Sequence, residues 1–194
     1  SQKGDGWDVK KLGSIAKYDK TKHDKSDRPY VGLENVESNS GRYLGTLEPQ
    51  QVKGSTFQFD ERHILYGRLR PYLNKVLVPN FKGHCSTEIF PILPAKEINR
   101  GYLFYWLMSP LIASKINDTW TGARMPRANM NEVINFKLII PPIEIQKKIT
   151  FNLSNLNIEM KEIESNYIHK LQNLEELKKS ILQKAFSGEL TQKE

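Results

Sequence analysis

The chain has 194 residues, of which 38% are hydrophobic and 26% are charged, and its formal net charge is +7. This composition is typical of a folded globular protein and excludes a largely disordered one. No apolar run approaches the roughly 18 residues that span a bilayer, and no signal-peptide pattern opens the chain, so we expect a cytoplasmic protein without membrane contact. The single Cys85 excludes an internal disulfide and a thiolate zinc site.

The first half of the chain has mainly the pattern of β-structure. The Lys-rich run KYDKTKHDKSDR at 17–28 predicts a loop, and SNSGR at 38–42 predicts a turn. The predicted strands are 30–36, 62–69, 73–79 and 86–93. We place the break between the second and third strands at Pro71, because proline cannot donate to a strand ladder.

Helical periodicity begins after residue 100. The apolar run from Tyr102 to Leu107 predicts one helix, and Ser109 followed by Pro110 predicts the N-cap and first position of a second. Residues 118–130 have no period and predict a loop, after which Asn131 is expected to cap a short turn before a last strand at 136–140. Strands followed by a helical pair predict an α+β domain over residues 1–140.

Residues 141–188 predict one long helix, and residues 189–194 a short tail. Pro141 and Pro142 stop the preceding strand, and Gly188 is typical of a helix end. An apolar seam runs along this helix at alternating steps of three and four residues, with one irregular step after Tyr167. The seam residues that we expect to pair with another helix are Leu153, Leu156, Met160, Ile163, Tyr167, Leu171, Leu174, Leu177 and Ile181.

The helix is too long for a domain of this size to cover. About 45 residues at 1.5 Å each extend over roughly 65 Å. We therefore expect a helical pair, formed within a larger parent chain or between two copies of this chain. A helix that lies along its own domain is the alternative.

Positive charge is concentrated in the predicted domain. Residues 141–194 carry eight lysines and eight glutamates, so the whole net charge of +7 belongs to residues 1–140, which also hold all eight arginines. An Arg-rich basic surface indicates a polyanionic partner such as nucleic acid. A surface kept basic for solubility alone is the alternative.

Signatures of catalysis are missing from the sequence. It has no GxGxxG, GxxxxGK[ST], GxSxG or HExxH motif, and its four histidines are scattered. We therefore expect no catalytic residues, no metal site and no bound cofactor. Isolated strand carboxylates such as Glu88 are interpreted as surface or network residues.

The arginines are the main candidates for DNA contact. Arg68 and Arg70 alternate in YGRLRPY, so on a strand they would share one face and suit phosphate oxygens. Arg124 and Arg127 lie in the predicted loop beside Trp120, and we expect at least one of them to contact a base edge, although Trp120 could equally fill the core. Weaker candidates for phosphate contact are Lys22, Lys25 and Arg42.

Four stretches of the sequence carry a resemblance to a known family. They are GWDVKKLGSIA, HILYGRLRPYLNKV with GHCSTEIFPI, TGARMPRANMNEV, and LIIPPIEIQKKI with LKKSILQKAFSGEL. Over nearly its full length the chain resembles one half of the specificity subunit, HsdS, of type I restriction-modification enzymes. The last pair of stretches is the most specific, because a double-proline entry into a long helix with this ending is seldom met elsewhere.

The resemblance implies a target recognition domain and a long helix that pairs antiparallel with an equivalent helix. It implies that the domain reads one half of a split double-stranded DNA target, while the helices set the spacing and contact the modification (methyltransferase) subunits. The restriction subunit would join through the complex. S-adenosylmethionine, ATP and Mg²⁺ would belong to these partner subunits.

The chain departs from the usual pattern because it has one recognition domain and one helix rather than two of each. It is a half-sized subunit, a truncation or a fragment, and the simplest source of a second helix is a homodimer. Two other interpretations remain open. One is the recognition part of a single-chain restriction or methyltransferase enzyme, and the other is a coiled-coil interaction module without a DNA role.

Overall fold

A computed structural model describes residues 6–23, 27–122 and 124–187. The strands are β1 (Asp8–Lys11), β2 (Ala16–Tyr18), β3 (Lys22–His23), β4 (Tyr30–Val31), β5 (Thr56–Phe59), β6 (Ile64–Gly67), β7 (Val76–Leu77), β8 (Gly83–Ser86), β9 (Ile89–Pro94) and β10 (Lys137–Ile140). The helices are α1 (Leu12–Ile15), α2 (Arg100–Met108), α3 (Pro110–Asp118), α4 (Met130–Val133) and α5 (Ile143–Phe186). Two 3₁₀ turns lie at Leu33–Asn35 and Pro71–Leu73. The predicted α+β class with a long C-terminal helix is confirmed.

Two four-stranded sheets form the centre of the domain. One has the order β2-β9-β6-β7 and the other β3-β5-β8-β4, while β1 and β10 form a separate two-stranded pair. Strands β8 and β9 follow each other in the chain but belong to different sheets. The two residues between them, Thr87 and Glu88, therefore mark the point where the chain passes from one sheet to the other.

The domain has two buried clusters, and the smaller one joins residues of both sheets. The larger cluster packs α2 and α3 against the sheet that contains β9, with Leu103, Leu107 and Ile116 fully buried. The smaller cluster includes Val31 and Cys85. Burial raises the pKa of the Cys85 thiol, so this residue is an inert core side chain.

Several predicted strands have different bounds in the structure. The run 17–28, predicted as a loop, contains most of β2 and all of β3, which pair with β9 and β5. Lys17 and Lys22 face solvent on these strands, so their charge made the run resemble a loop. The predicted strand 30–36 ends at Val31 and continues as a 3₁₀ turn. The predicted strand 86–93 is interrupted by the turn before β9. The break at Pro71 is confirmed, since a 3₁₀ turn begins there.

The helical predictions are mostly confirmed. Helices α2 and α3 occupy the predicted positions, and Pro110 is the first residue of α3. The Ser109 hydroxyl does not cap α3, because it donates to the Trp106 carbonyl at the end of α2. The N-cap position of α4 is held by Asn129, so the expected capping role of Asn131 is wrong.

Helix α5 begins directly after the double proline and is anchored by one buried side chain. Gln146 is fully buried; its Oε1 accepts from the Asn99 amide at 2.7 Å, and its Nε2 donates to the carbonyls of Glu97 and Pro141 at 3.0 and 2.8 Å. Thr150 adds a 3.1 Å hydrogen bond to the Asn99 side chain. These contacts attach the first turns of α5 to the start of α2.

The chain divides into two compact units after Thr150. In the second unit, the predicted seam residues from Leu153 to Ile181 are between 36% and 62% exposed. The predicted helix is thus confirmed over Ile143–Phe186, whereas its pairing stays a prediction. Gly188 and the tail 189–194 lie outside the described residues.

Replacing Gln146 by Leu should destabilise the domain. The substitution leaves one buried amide and two carbonyls without their partner, and an unpaired buried group costs roughly 1–3 kcal/mol. Because water can reach some of these groups after the change, we expect a total loss of about 2–4 kcal/mol in the free energy of unfolding, measured by urea denaturation. The same substitution at the exposed Gln183 is the control, and an equal loss at both positions would contradict the anchoring role.

Candidate nucleic-acid interface

A three-residue ion-pair cluster lies where the two sheets meet. Its centre is Glu88, between β8 and β9. Arg68 comes from the segment after β6, and Arg127 comes from the loop before α4. Three chain segments that are distant in sequence are therefore connected by one carboxylate.

The two arginines approach Glu88 differently. Arg127 binds side-on: its Nε lies 3.0 Å from both carboxylate oxygens, and its Nη2 donates to Oε1 at 2.9 Å. Arg68 donates from Nε to Oε2 at 3.0 Å. The side chain of Glu88 is only 22% exposed, while those of Arg68 and Arg127 are 32% and 35% exposed. The cluster is thus largely withdrawn from solvent.

Backbone hydrogen bonds hold the same segments together. The amide of Arg68 donates to the Glu88 carbonyl at 2.9 Å, and the amide of Ala128 donates to the Arg68 carbonyl at 2.8 Å. The Arg70 amide donates to the Pro126 carbonyl at 2.8 Å, and Arg127 forms bridges with both Leu69 and Thr121. The loop that carries Arg127 is therefore docked on residues 68–70 rather than free.

A cleft of about 310 Å³ opens beside the cluster. It is lined by Lys20, Arg68, Phe90, Thr121, Arg127, Ala128, Asn129, Met130 and Asn131. The ammonium of Lys20 lies 4.8 Å and the guanidinium of Arg68 lies 5.3 Å from the centre of the Phe90 ring, which attracts both cations. The cleft is lined by three cations, and the carboxylate of Glu88 beside it balances only part of their charge. The cleft therefore suits electron-rich groups.

The arginines determine the charge state of Glu88. Burial alone would raise the pKa of Glu88, but the hydrogen bonds and positive charges of Arg127 and Arg68 outweigh it and hold that pKa below its ordinary value. The bonds to Glu88 in turn raise the pKa of Arg127. The carboxylate is therefore ionised at neutral pH, and its charge is shared between two guanidinium groups.

The structure corrects the predicted arrangement of Arg68 and Arg70. Strand β6 ends at Gly67, so the two arginines do not share a strand face. Arg70 has a left-handed backbone with φ of 52°, precedes the 3₁₀ turn and is exposed, whereas Arg68 turns toward Glu88. Arg70 lines a different depression, together with Glu34 and Lys75. Their predicted contact with phosphates stays a prediction.

Arg124 and Arg127 also differ from each other. Arg124 is exposed near the tip of the loop, while Arg127 is fixed by Glu88. Trp120 is 49% exposed, so it does not fill the core. The predicted base contact of Arg124 or Arg127 stays a prediction, and the geometry favours different roles for the two residues.

The weaker candidates lie outside this cleft. Lys22 is exposed on β3, and Arg42 is exposed in the turn after the first 3₁₀ segment. Lys25 lies outside the described residues. Sequence reasoning did not find Lys20 or Phe90, because no local pattern indicates that β2 and β9 bring them to the arginines. The interpretation of Glu88 as a network residue agrees with its ion pairs, but its partners were not identifiable from the sequence.

The described ranges 6–23, 27–122 and 124–187 contain no group of three or more His, Cys, Asp and Glu side chains placed to hold a metal ion. None of the helices in these ranges is long and apolar enough to cross a membrane.

The α+β fold and the Arg-rich cleft are compatible with a DNA-recognition domain, and comparison with known proteins identifies the class. The chain belongs to the family described as type I restriction modification DNA specificity domain, whose model matches residues 4–176. This assignment confirms the resemblance to specificity subunits, which are the recognition component and not a catalytic one.

Individual relatives agree with the family assignment. The chain is 28% identical over 182 residues to the type I restriction enzyme EcoDI specificity subunit of Escherichia coli, covering 93% of this chain and 40% of that protein. It superposes on the HsdS subunit from Thermoanaerobacter tengcongensis with a TM-score of 0.68 at 21% identity, covering 82% of this chain and 44% of that one. A chain from a study of assembly and conformational transition of the type I R-M system gives a TM-score of 0.74 at 15% identity, covering 96% of this chain and 47% of that one.

The two structural matches show a shared fold alone, because both are below 25% identity. The chain spans less than half the length of each of these three relatives.

The shared carboxylate predicts a pH-dependent contribution to stability. Folding lowers the pKa of Glu88. The ion pairs of Glu88 therefore stabilise the protein at pH values above about 4.3, the ordinary pKa of a glutamate in an unfolded chain. This stabilisation is lost as the pH falls through the lower pKa that Glu88 has in the folded protein. Glu88→Gln should therefore reduce the free energy of unfolding most at pH 7 and progressively less below about pH 4. Urea denaturation between pH 3 and pH 7 measures this difference. The exposed Glu48→Gln is the control, and a pH-independent deficit in Glu88→Gln would contradict the ion-pair origin of the effect.

Proposed function

We propose that this chain reads one half of a bipartite double-stranded DNA target as the sequence-specificity component of a type I restriction-modification system. The observation that carries the proposal is membership of the DNA specificity family over residues 4–176. The cleft supports it, because guanidinium and ammonium groups beside an aromatic ring suit base edges and phosphates. The exposed Arg70 and Arg124 supply further positive charge for the DNA backbone.

The proposed partners supply the chemistry that this chain does not. Modification subunits would bind S-adenosylmethionine and transfer the methyl group, and the restriction subunit would join through the complex with ATP and Mg²⁺. The specificity chain would hold these subunits on the DNA as a scaffold. Such a complex acts on cellular DNA, which implies a cytoplasmic location.

The apolar seam of α5 supports pairing with a second copy of the chain. Leu156, Ile163 and Leu171 are 51%, 55% and 62% exposed, and burying apolar surface is favourable by roughly 25 cal/mol per Å². A continuous exposed stripe of this kind typically marks an interaction surface. Two antiparallel copies related by a twofold axis would place two identical recognition domains on the DNA, with the paired helices setting the spacing between half-sites.

Methylation of genomic DNA tests the recognition part of the proposal. We expect expression of this chain with its modification subunit to produce methylation at one split motif, and omission of this chain to abolish it. A homodimer requires that the two half-motifs be inverted repeats of each other. Sequencing that detects modified bases gives the motif directly.

Two outcomes of this experiment would contradict the proposal. Methylation at the same motif without this chain would show that recognition resides elsewhere. Methyl transfer or cleavage by the purified chain with S-adenosylmethionine, Mg²⁺ and plasmid DNA would favour the recognition part of a single-chain enzyme.

Charges placed in the seam should dissociate the proposed dimer. Leu156→Asp with Ile163→Asp would bury two carboxylates in an apolar interface, which costs several kcal/mol, so we expect a monomer at micromolar concentration. Light scattering or sedimentation measures the mass. Methylation of the split motif should be lost together with the dimer.

A matched double variant separates the seam from a general effect of charge on α5. Ser165 and Gln172 are also seven residues apart and lie on the face opposite the seam, so Ser165→Asp with Gln172→Asp should remain dimeric. A monomeric wild-type chain at high concentration would refute the homodimer.

A further inference from the structure

The side-on ion pair leaves part of the hydrogen-bonding capacity of Arg127 unused. A guanidinium has five N–H groups, and those of Arg127 bond from Nε and Nη2 to Glu88, with a longer 3.4 Å bond from Nη1 to the Met125 carbonyl. One hydrogen on Nη1 and one on Nη2 have no partner among the described residues. Glu88 occupies the edge formed by Nε and Nη2, and Arg127 lines the cleft, so the remaining hydrogens of Nη1 and Nη2 are its donors for a group bound there.

The carboxylate of Glu88 also affects what Arg127 can bind. It offsets part of the positive charge of Arg127, so a fully charged phosphate is attracted less strongly here than by an arginine without an ion pair. The O6 and N7 atoms of guanine are uncharged acceptors that match the spacing of two guanidinium N–H groups in the major groove. The pair of Glu88 and Arg127 therefore favours a base edge over the DNA backbone.

The loop is held firmly enough for such a contact to be selective. The backbone of Arg127 is paired with Leu69 and Thr121, and its neighbour Ala128 is bonded to Arg68. The side chain is therefore fixed both at its backbone and at its guanidinium. Little conformational entropy remains to be lost when it binds a base.

We propose that Arg127 reads a guanine through its Nη1 and Nη2 atoms, with Glu88 as the positioning residue that orients it and weakens its attraction for phosphate. This inference rests on the proposed function, and it identifies the base type and the residue that makes the contact. In this inference Arg68 stabilises Glu88 through its ion pair. The exposed Arg124 and Arg70 contact phosphates.

The test is a binding assay on duplex DNA with the full chain assembled with its modification subunits. The probes are duplexes that carry the motif found by methylation, altered one base pair at a time, and one unrelated duplex. Arg127→Lys keeps the charge and removes the planar fork. Glu88→Gln removes the charge and one of the two acceptor oxygens while keeping the length of the side chain.

Both variants should relax the motif at the same G·C pair. A bidentate arginine contact gives roughly 5- to 150-fold discrimination, and we expect most of it to be lost at this one position. In Arg127→Lys the salt dependence of binding should be unchanged, because the number of cations is the same. In Glu88→Gln binding to the unrelated duplex should increase, because a carboxylate that repels phosphate is gone.

Two control variants use residues outside the cleft. Arg62 makes a comparable side-on ion pair with Asp60, with Nε and Nη2 bonded to the carboxylate, but it lies in a separate depression. Arg62→Lys and the exposed Glu61→Gln should leave the motif unchanged. Thermal unfolding and binding to the unrelated duplex show whether each variant is folded.

The possible failures are distinguishable. If Arg127→Lys relaxes no position, or relaxes an A·T pair, Arg127 does not read guanine. If Glu88→Gln changes overall affinity and keeps the full preference for guanine, Glu88 does not position Arg127. If the wild-type complex binds every duplex equally, the proposed function itself is wrong.

Discussion

The ion pairs of the Glu88 carboxylate are the interaction on which the arrangement of the Arg-rich cleft depends. Two guanidinium groups that converge without a counter-charge would repel each other, and a surface rich in arginine cannot easily bring its cations together. Glu88 accepts from both Arg68 and Arg127, so it allows them to share one small region.

The position of Glu88 explains how one side chain can have this effect. It lies in the turn where the chain leaves one sheet and enters the other, and β8 and β9 fix that turn on both sides. Both neighbouring strands are largely buried, so the turn has a fixed start and a fixed end. The described part of the loop before α4, residues 119–122 and 124–129, is held by the bridge between Thr121 and Arg127 and by its bonds to residues 68–70. Binding residues are often carried by loops that a rigid scaffold positions in this way.

Helix α5 has a different kind of constraint. Its first turns are attached to the domain by buried hydrogen bonds from Gln146, whereas its seam residues expose much of their apolar surface. The same helix thus has a polar attachment at its start and an apolar stripe along the rest of its length. A recognition domain joined to such a stripe suits a protein that works as part of an assembly.

The sequence by itself determined the features that depend on local pattern. Pro141 and Pro142 marked the start of α5, and Pro71 marked the break between two strands. The apolar periodicity from Leu153 to Ile181 marked one face of the helix. Each of these features follows from backbone geometry within a few residues. The family resemblance came from the same local stretches. These signals need no knowledge of distant contacts.

Only the tertiary structure decided the grouping of the charged side chains. The alternation of Arg68 and Arg70 suggested a shared face, but β6 ends before them and the left-handed backbone at Arg70 separates them. Arg127 meets Glu88 across 39 residues of sequence, and Lys20 meets Phe90 through strand pairing. Ion pairs between distant segments depend on the sheet order and on the turn between β8 and β9, and no local periodicity encodes either of them.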